Sequence, residues 1–257
     1  MYPIDLSGKT GVVFGVANQR SIAWSIAEIL HSAGARIALA YQNERVRGTV
    51  EALTSSWDDA LLIECDAAED GNVAAAFERV GQQFGNLDVI VHSIAYANRD
   101  DLGGRFVDTG REGFRLALDI SAYTLLPIVR YGAPLMAQGG SVVTLTFQAS
   151  TRVFPGYNVM GTAKAALENE VRQLAGDLGE DNIRVNAISA GPLDTLSSRA
   201  ISRYRDMKRI AAERSPMGRN VTHEEVAKTA LFLCSDLSSG ITGEIIHVDA
   251  GYNIMGI

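Results

Sequence analysis

Short apolar runs alternate with stretches in which apolar residues recur every three or four positions, from one end of the chain to the other. The first run, residues 10–14, is a buried strand ending at Gly15. Ile22, Ile26, Ile29, Leu30 and Ala33 then follow helical spacing up to Gly34, a residue suited to a left-handed helix stop. A second strand is expected over 36–41, a helix from about Glu44, and a third strand over 60–65, ending at Asp66. Further strands are expected over 87–92, 142–147, 183–188 and near 245–248, with helices near 70–84, 111–137 and 157–178. In the last of these, Ala163, Leu167, Val171, Leu174 and Leu178 form the core stripe. Such alternation predicts an α/β chain with one seven-stranded parallel sheet, doubly wound, covered by helices on both faces. There are no repeats, low-complexity tracts or long linkers, so a single domain spanning residues 1–257 is expected. In sheets of this kind ligands bind beyond the carboxyl ends of the strands.

Composition narrows the picture. With 257 residues, 47% of them hydrophobic, the chain can bury a large core. It has no apolar stretch of about 18 residues and no basic-then-apolar leader, so a cytoplasmic protein without a membrane partner is expected. Cys65 and Cys234 lack the spacing of a disulfide framework or a zinc site. His31, His92, His223 and His247 are scattered without ligand spacing, so no metal is expected; His92 and His247 fall within strands and read as core histidines. Trp24 and Trp57 read as packing residues. No G-x-S-x-G elbow points to a hydrolase. A net charge of -7 argues against nucleic acid as a partner. The charge is uneven, however: Arg199, Arg203, Arg205, Lys208, Arg209, Arg214 and Arg219 face only Asp206 and Glu213 within 199–219. That cluster is either a solvated helix face or a landing patch for an acidic partner.

Candidate chemistry centres on Tyr157 and Lys164. Seven helical residues turn through about 700° and rise about 10.5 Å, which puts a phenol and an ammonium on one face. A cationic neighbour favours the phenolate, and a phenol so placed can donate to an oxygen that gains charge during reaction. Upstream, Gly15 opens a strand-to-helix turn with Ser21 and Ala23 as later small residues, a partial match to a dinucleotide-binding loop without its full glycine set. Gln42 stands at the end of the second strand, where an amide can bond a ribose 2'-hydroxyl but offers no charge to a 2'-phosphate. NADH is therefore favoured over NADPH, although Arg45 and Arg47 lie near, opposed by Glu44. Asp66 suits either the adenine amino group or a helix N-cap, and Ser93, Ile94 and Ala95 are small enough to lie along a cofactor.

Together these pieces resemble the short-chain dehydrogenase/reductase superfamily, a Rossmann-type fold, and within it the NADH-dependent enoyl-acyl-carrier-protein reductase branch. The resemblance covers essentially the whole chain and rests on GVANQRSIA over 15–23, HSIA over 92–95, YNVMGTAK over 157–164, RVNAISAGP over 184–192 and GEIIHVDAG over 243–251. Ordinary members of the superfamily place lysine four residues after the tyrosine, where this chain has Gly161; the wider spacing marks the branch. The resemblance implies reduction of the trans-2 double bond of an enoyl thioester on acyl carrier protein, the last step of fatty-acid elongation. It further implies that Tyr157 supports the thioester carbonyl and Lys164 holds the nicotinamide ribose. Gly15, Ser21, Ile22 and Thr195 would surround the pyrophosphate, Gln42, Asp66 and Ala67 the adenosine, and Ser93, Ile94 and Ala95 the length of the cofactor, with Leu193 pairing its backbone to the carboxamide. Phe147, Met160, Ile201, Tyr204 and Met207 would wall the acyl slot, the last three from a substrate segment over about 194–212, and a homotetramer is implied.

Two positions depart from the branch. Phe147 stands where a second tyrosine is frequent and cannot donate a proton; Asp194 stands where arginine is frequent, which reverses a charge beside Thr195. The rival readings are a carbonyl or alcohol oxidoreductase of the same superfamily, and an NAD-binding scaffold without turnover. The lysine spacing speaks against the first, as does the absence of that group's Asn/Ser/Tyr/Lys pattern.

Overall fold

The computed structural model describes residues 4–201 and 203–256, without the side chains of Arg199 and Ala200. Seven strands lie in one parallel sheet: β1 (Thr10–Phe14), β2 (Arg36–Tyr41), β3 (Leu61–Glu64), β4 (Val89–His92), β5 (Gly140–Thr146), β6 (Ile183–Ala190) and β7 (Ile245–Val248). Their spatial order is β3-β2-β1-β4-β5-β6-β7. The order reverses between β1 and β4, which opens a crevice at their carboxyl ends.

Alternation along each strand feeds two cores. In β1, Val13 joins one core while Val12 and Phe14 join the other. The first core is closed by α1 (Ile22–Ser32), Val50 of α2 (Glu44–Leu53) and α8 (His223–Cys234); the second by α3 (Asp70–Phe84), α5 (Leu125–Gly132) and α6 (Asn158–Leu178). The expected stripe of α6 is in place, with Ala163, Leu167 and Val171 buried and Leu174 and Leu178 half-buried. Trp24 stacks on Trp57, which stacks in turn on His31, so both tryptophans are packing residues.

Three local features depart from the sequence expectation. The single helix expected over 111–137 is divided into α4 (Arg111–Leu118), a π-helical stretch (Asp119–Tyr123) and α5. The widened turn buries Ser121, whose hydroxyl accepts from the Tyr96 N–H and donates to the Tyr96 carbonyl, both at 2.8 Å. Second, α8 is additional to the expected helices, although its start carries a reciprocal capping box between Thr222 and Glu225. Third, His247 is exposed, because β7 is the edge strand and this position faces solvent. His92 is fully buried as expected.

Candidate active site

A cavity of about 440 Å³ opens at the carboxyl ends of β1, β4, β5 and β6. At its β1 edge the chain turns through Gly15, whose φ of +97° and close approach to Ser93 admit no side chain: a Cβ there would lie 2.1 Å from the Ser93 carbonyl oxygen. Helix α1 starts at Ile22, after the 16–21 loop, without a side-chain cap. The Ser21 hydroxyl instead turns back to accept from the N–H groups of Ala17 and Asn18, each at 3.1 Å, which leaves its own proton to give. First-turn N–H groups and a free hydroxyl donor at a helix start suit a phosphate anion.

The floor is made by β5 and α6. Lys164 is buried, and its Nζ donates to the Leu145 carbonyl at 2.8 Å. One turn further along α6, buried Glu168 accepts from the Thr146 hydroxyl at 2.8 Å, so two successive residues of β5 are tied to one face of α6. Burial brings the Lys164 amine down to about 8, against an opposing pull from Glu168. Behind it His92 bonds Thr144 at 2.8 Å and Thr124 at 2.9 Å. Because the Thr124 hydroxyl gives its proton to the Ile120 carbonyl, His92 must donate from Nε2 and accept at Nδ1. Burial first, then the nearby Lys164 charge, hold this imidazole neutral, down to about 3.

Tyr157 lines the same cavity, but not in the way its spacing from Lys164 implies. It is the N-cap of α6, and Asn158 follows with φ +27°, so the seven-residue helical projection does not apply across the first step. The ring is set instead by Phe147, 5.0 Å away between centroids, which packs in turn on Phe154 at 4.7 Å. Burial pushes the phenol well above its ordinary value, so Tyr157 is a neutral donor and the phenolate expected from the lysine does not form. The absence of the shorter lysine spacing also has a local cause. A Cβ at Gly161 would stand 2.8 Å from the Ala149 carbonyl oxygen, so α6 lies against the 148–150 turn with no room for a side chain.

The outer wall follows β6. Leu193 and Thr195 lead into a short turn (Ser197–Ala200), and α7 (Tyr204–Arg214) then returns across the opening. The Thr195 hydroxyl oxygen accepts from the Ser198 N–H at 3.1 Å and keeps its proton for a ligand. The Tyr204 hydroxyl donates to the Leu193 carbonyl at 2.5 Å.

Of the residues singled out in the sequence, Gly15, Ser21, Ile22, Ser93, Ile94, Ala95, Phe147, Tyr157, Met160, Lys164, Leu193, Thr195, Ile201, Tyr204 and Met207 all line this one cavity. Gln42, Asp66 and Ala67 do not; they stand after β2 and β3, on the open side of the crevice. Asp66 does not cap α3, whose N-cap is Glu69; its carboxylate accepts from the Ala68 N–H at 3.2 Å. Among the cavity residues that the sequence reading did not single out are Leu145 and Thr146, whose position at a strand end is the available signal, and Ser198. Among the described residues no group of His, Cys, Asp or Glu is arranged to hold a metal.

The donor set fits a dinucleotide: phosphate donors at α1 and Thr195, an ammonium on the floor, and a largely apolar run between them. Comparison with known proteins agrees. The family model described as "Enoyl-(Acyl carrier protein) reductase" matches residues 15–253. An enoyl-[acyl-carrier-protein] reductase [NADH], FabI, of Bacillus cereus is 50% identical, with 98% of this chain and 99% of the relative covered. The corresponding [NADPH] enzyme of Staphylococcus aureus is 47% identical, with 97% and 98% covered. The crystal structure of the Bacillus cereus enzyme with NADP+ and indole naphthyridinone superposes with a TM-score of 0.96 at 49% identity, covering 98% of this chain and 100% of that one.

Proposed function

The chain belongs to the enoyl-acyl-carrier-protein reductase family, and from that premise we propose how its own residues carry out NADH-dependent reduction of the trans-2 double bond of an enoyl thioester on acyl carrier protein, the closing step of a fatty-acid elongation cycle. The observation that carries the proposal is the shared cavity, in which Tyr157, Lys164 and the phosphate donors of α1 meet. The pyrophosphate is held by the first turn of α1, Ser21 and Thr195, the nicotinamide ribose by Lys164, the carboxamide by the Leu193 backbone, and the adenosine by Gln42, Asp66 and Ala67 on the open side. Bound there, NADH supplies hydride to the β-carbon of the substrate.

Charge then collects on the thioester oxygen, and a proton taken up at the α-carbon completes the reduction. Tyr157, kept protonated by burial, donates a hydrogen bond to that oxygen, and the N-terminal end of α6 adds its positive peptide dipoles beside it. Phe147 cannot take part in proton transfer; packed at 5.0 Å, it fixes the Tyr157 ring and closes the slot to water. Met160, Ile201, Tyr204 and Met207 supply the acyl wall, the last three within a substrate segment over about 194–212. Preference for NADH is supported by the Gln42 amide and by the pairing of Arg47 with Glu51 at 2.7 Å, which occupies a cation that a 2'-phosphate would otherwise draw on.

The exposed side of α7 is proposed as the seat of the acidic carrier protein. Its cations are partly matched: Arg203 pairs with Asp206 at 3.2 Å and Arg209 with Glu213 at 2.8 Å. Arg205 and Arg214 have no ion-pair partner among the described residues. Arg199, part of the same sequence cluster, has its side chain outside the described residues.

A cytoplasmic homotetramer is proposed as the working state. No described helix is long and apolar enough to cross a membrane. The C-terminal residues lie against the 148–152 turn, where Gln148 and Arg152 donate to the Asn253 carbonyl, yet Ile254 is 73% exposed, as a subunit contact requires. Gel filtration of a chain cut after Gly251 is expected to show a smaller assembly; an unaltered elution volume counts against this contact. For the reaction itself, NADH absorbance is followed with crotonyl thioester and with simple ketones. Oxidation by the thioester alone is expected, and oxidation by ketones alone would reject the assignment.

A further inference from the structure

Asp194 puts a carboxylate immediately before Thr195, where the cofactor's pyrophosphate is expected to sit, and an uncompensated negative charge there opposes binding. The structure supplies the compensation. Lys208 of α7 donates from Nζ to Asp194 Oδ2 at 2.5 Å. Four residues earlier on the same helix, Tyr204 donates its hydroxyl to the Leu193 carbonyl, also at 2.5 Å. Residues four apart share a helix face, and Leu193 and Asp194 are consecutive, so α7 is fastened at two adjoining points to the end of β6. The chain enclosed between these points is folded on itself by Thr195 and Ser198, each accepting the other's N–H through its hydroxyl at 3.0–3.1 Å.

We infer that Tyr204 and Lys208 are positioning residues that form a two-point clasp, holding the acyl-slot wall of α7 against the Leu193 and Thr195 segment, and that Lys208 also shields the cofactor's pyrophosphate from Asp194. The inference rests on reading this cavity as the NADH and enoyl-thioester site. The two roles separate by charge. Losing either partner of the ion pair loosens α7 and disturbs the acyl wall. Losing Lys208 alone exposes the carboxylate to the cofactor, whereas losing Asp194 alone leaves a free cation that attracts it.

The pair is partly exposed, Asp194 more than Lys208, so each effect is modest, about two- to fivefold. Lys208→Met, Asp194→Asn, Tyr204→Phe and the exchange Asp194→Lys with Lys208→Asp are compared with the parent enzyme, after checking by thermal melting that each is folded. Michaelis constants for NADH and crotonyl-coenzyme A are measured at low and high salt, and amide hydrogen exchange across 204–214 is measured on ligand-free protein. Lys208→Met is expected to raise the constant for NADH, less so at high salt, and Asp194→Asn to leave it unchanged or lower it. Both are expected to raise the constant for crotonyl-coenzyme A and to speed exchange in α7, and the charge exchange to restore slow exchange. Tyr204→Phe is expected to speed exchange without altering the salt dependence for NADH.

Equal shifts of the NADH constant in Lys208→Met and Asp194→Asn would overturn the shielding role, and unaltered exchange in both would overturn the clasp. If the parent enzyme fails to oxidise NADH with crotonyl-coenzyme A, the reading of the cavity fails, while the exchange measurement still decides the clasp.

Discussion

The floor and the outer wall of the cavity are built by opposite means. On the floor, Lys164 and Glu168 are buried and bonded to consecutive residues of β5, between a central strand and the longest helix. On the wall, Lys208 and Asp194 meet at the surface on a segment that leaves the sheet and returns as α7. A hydrogen bond to a buried charged group is worth about 1.5–3 kcal/mol, while an exposed ion pair is worth about 0.2–1 kcal/mol. The floor is thus held more tightly than the wall. On the proposed function, rigidity lies beside the reacting atoms and compliance beside the acyl chain.

Substitutions on the floor test the rigid side and carry the largest effects. Tyr157→Phe removes the donor to the developing oxyanion, and kcat is expected to fall by up to about 100-fold, toward the lower end of what losing one such donor costs, because a ribose hydroxyl can compensate. A rate within twofold of the parent would remove Tyr157 from the chemistry. Lys164→Ala is expected to raise the Michaelis constant for NADH by about 10-fold or more, since hydrogen bonds from a charged donor are worth about 1.5–3 kcal/mol. Unchanged cofactor binding would mean that the amine does not hold the nicotinamide ribose.

The same lysine predicts a pH dependence. Its amine is brought down from the ordinary lysine value to about 8, so below that pH the ammonium form prevails and above it a donor proton is lost. Affinity for NADH is therefore expected to be flat through neutral pH and to weaken as pH rises past about 8. The Tyr157 phenol, raised by burial, stays protonated through that range, so kcat should not follow the same limb. A limb that persists in Lys164→Met would assign it elsewhere.

The wall is tested by charge. Reversing Arg203 and Arg205 to glutamate is expected to slow turnover of carrier-bound substrate by several-fold, roughly one exposed contact each, while sparing a coenzyme A thioester. Added salt should act on the parent in the same direction. Equal losses on both substrates would reject docking at α7.

The floor is more legible in the sequence than the wall, for physical reasons. Short apolar runs mark strands because successive residues of a strand feed opposite faces of the sheet, and the limits of β1, β2 and β7 can be read directly from those runs. Gly15, Ser93, Ile94, Ala95, Phe147 and Leu193 sit at or just beyond strand ends, which the alternation locates. The break at Asp119–Tyr123 is invisible, since a π turn is selected by where Ser121 must point and not by periodicity. Tyr157 reads as a helical residue, whereas the strained backbone at Asn158 makes it the cap. Asp194 looks anomalous alone, because its partner Lys208 is fourteen residues away and only the return of α7 brings them together. Gln42 and Asp66 can be put at strand ends, but whether a strand end faces an enclosed cavity or open solvent depends on neighbours that sequence does not specify.

The crowding at Gly161 has an evolutionary reach. With the Ala149 carbonyl only 2.8 Å from where a first side-chain carbon would stand, an amine cannot migrate from position 164 to 161 by substitution alone. Any descendant adopting the shorter interval would first have to lift α6 off the 148–150 turn, which directly follows Phe147, the residue packed on Tyr157. The interval between phenol and amine is therefore inherited together with the turn beneath it, and an engineer wishing to convert one kind of reductase into the other must rebuild that turn before moving the lysine.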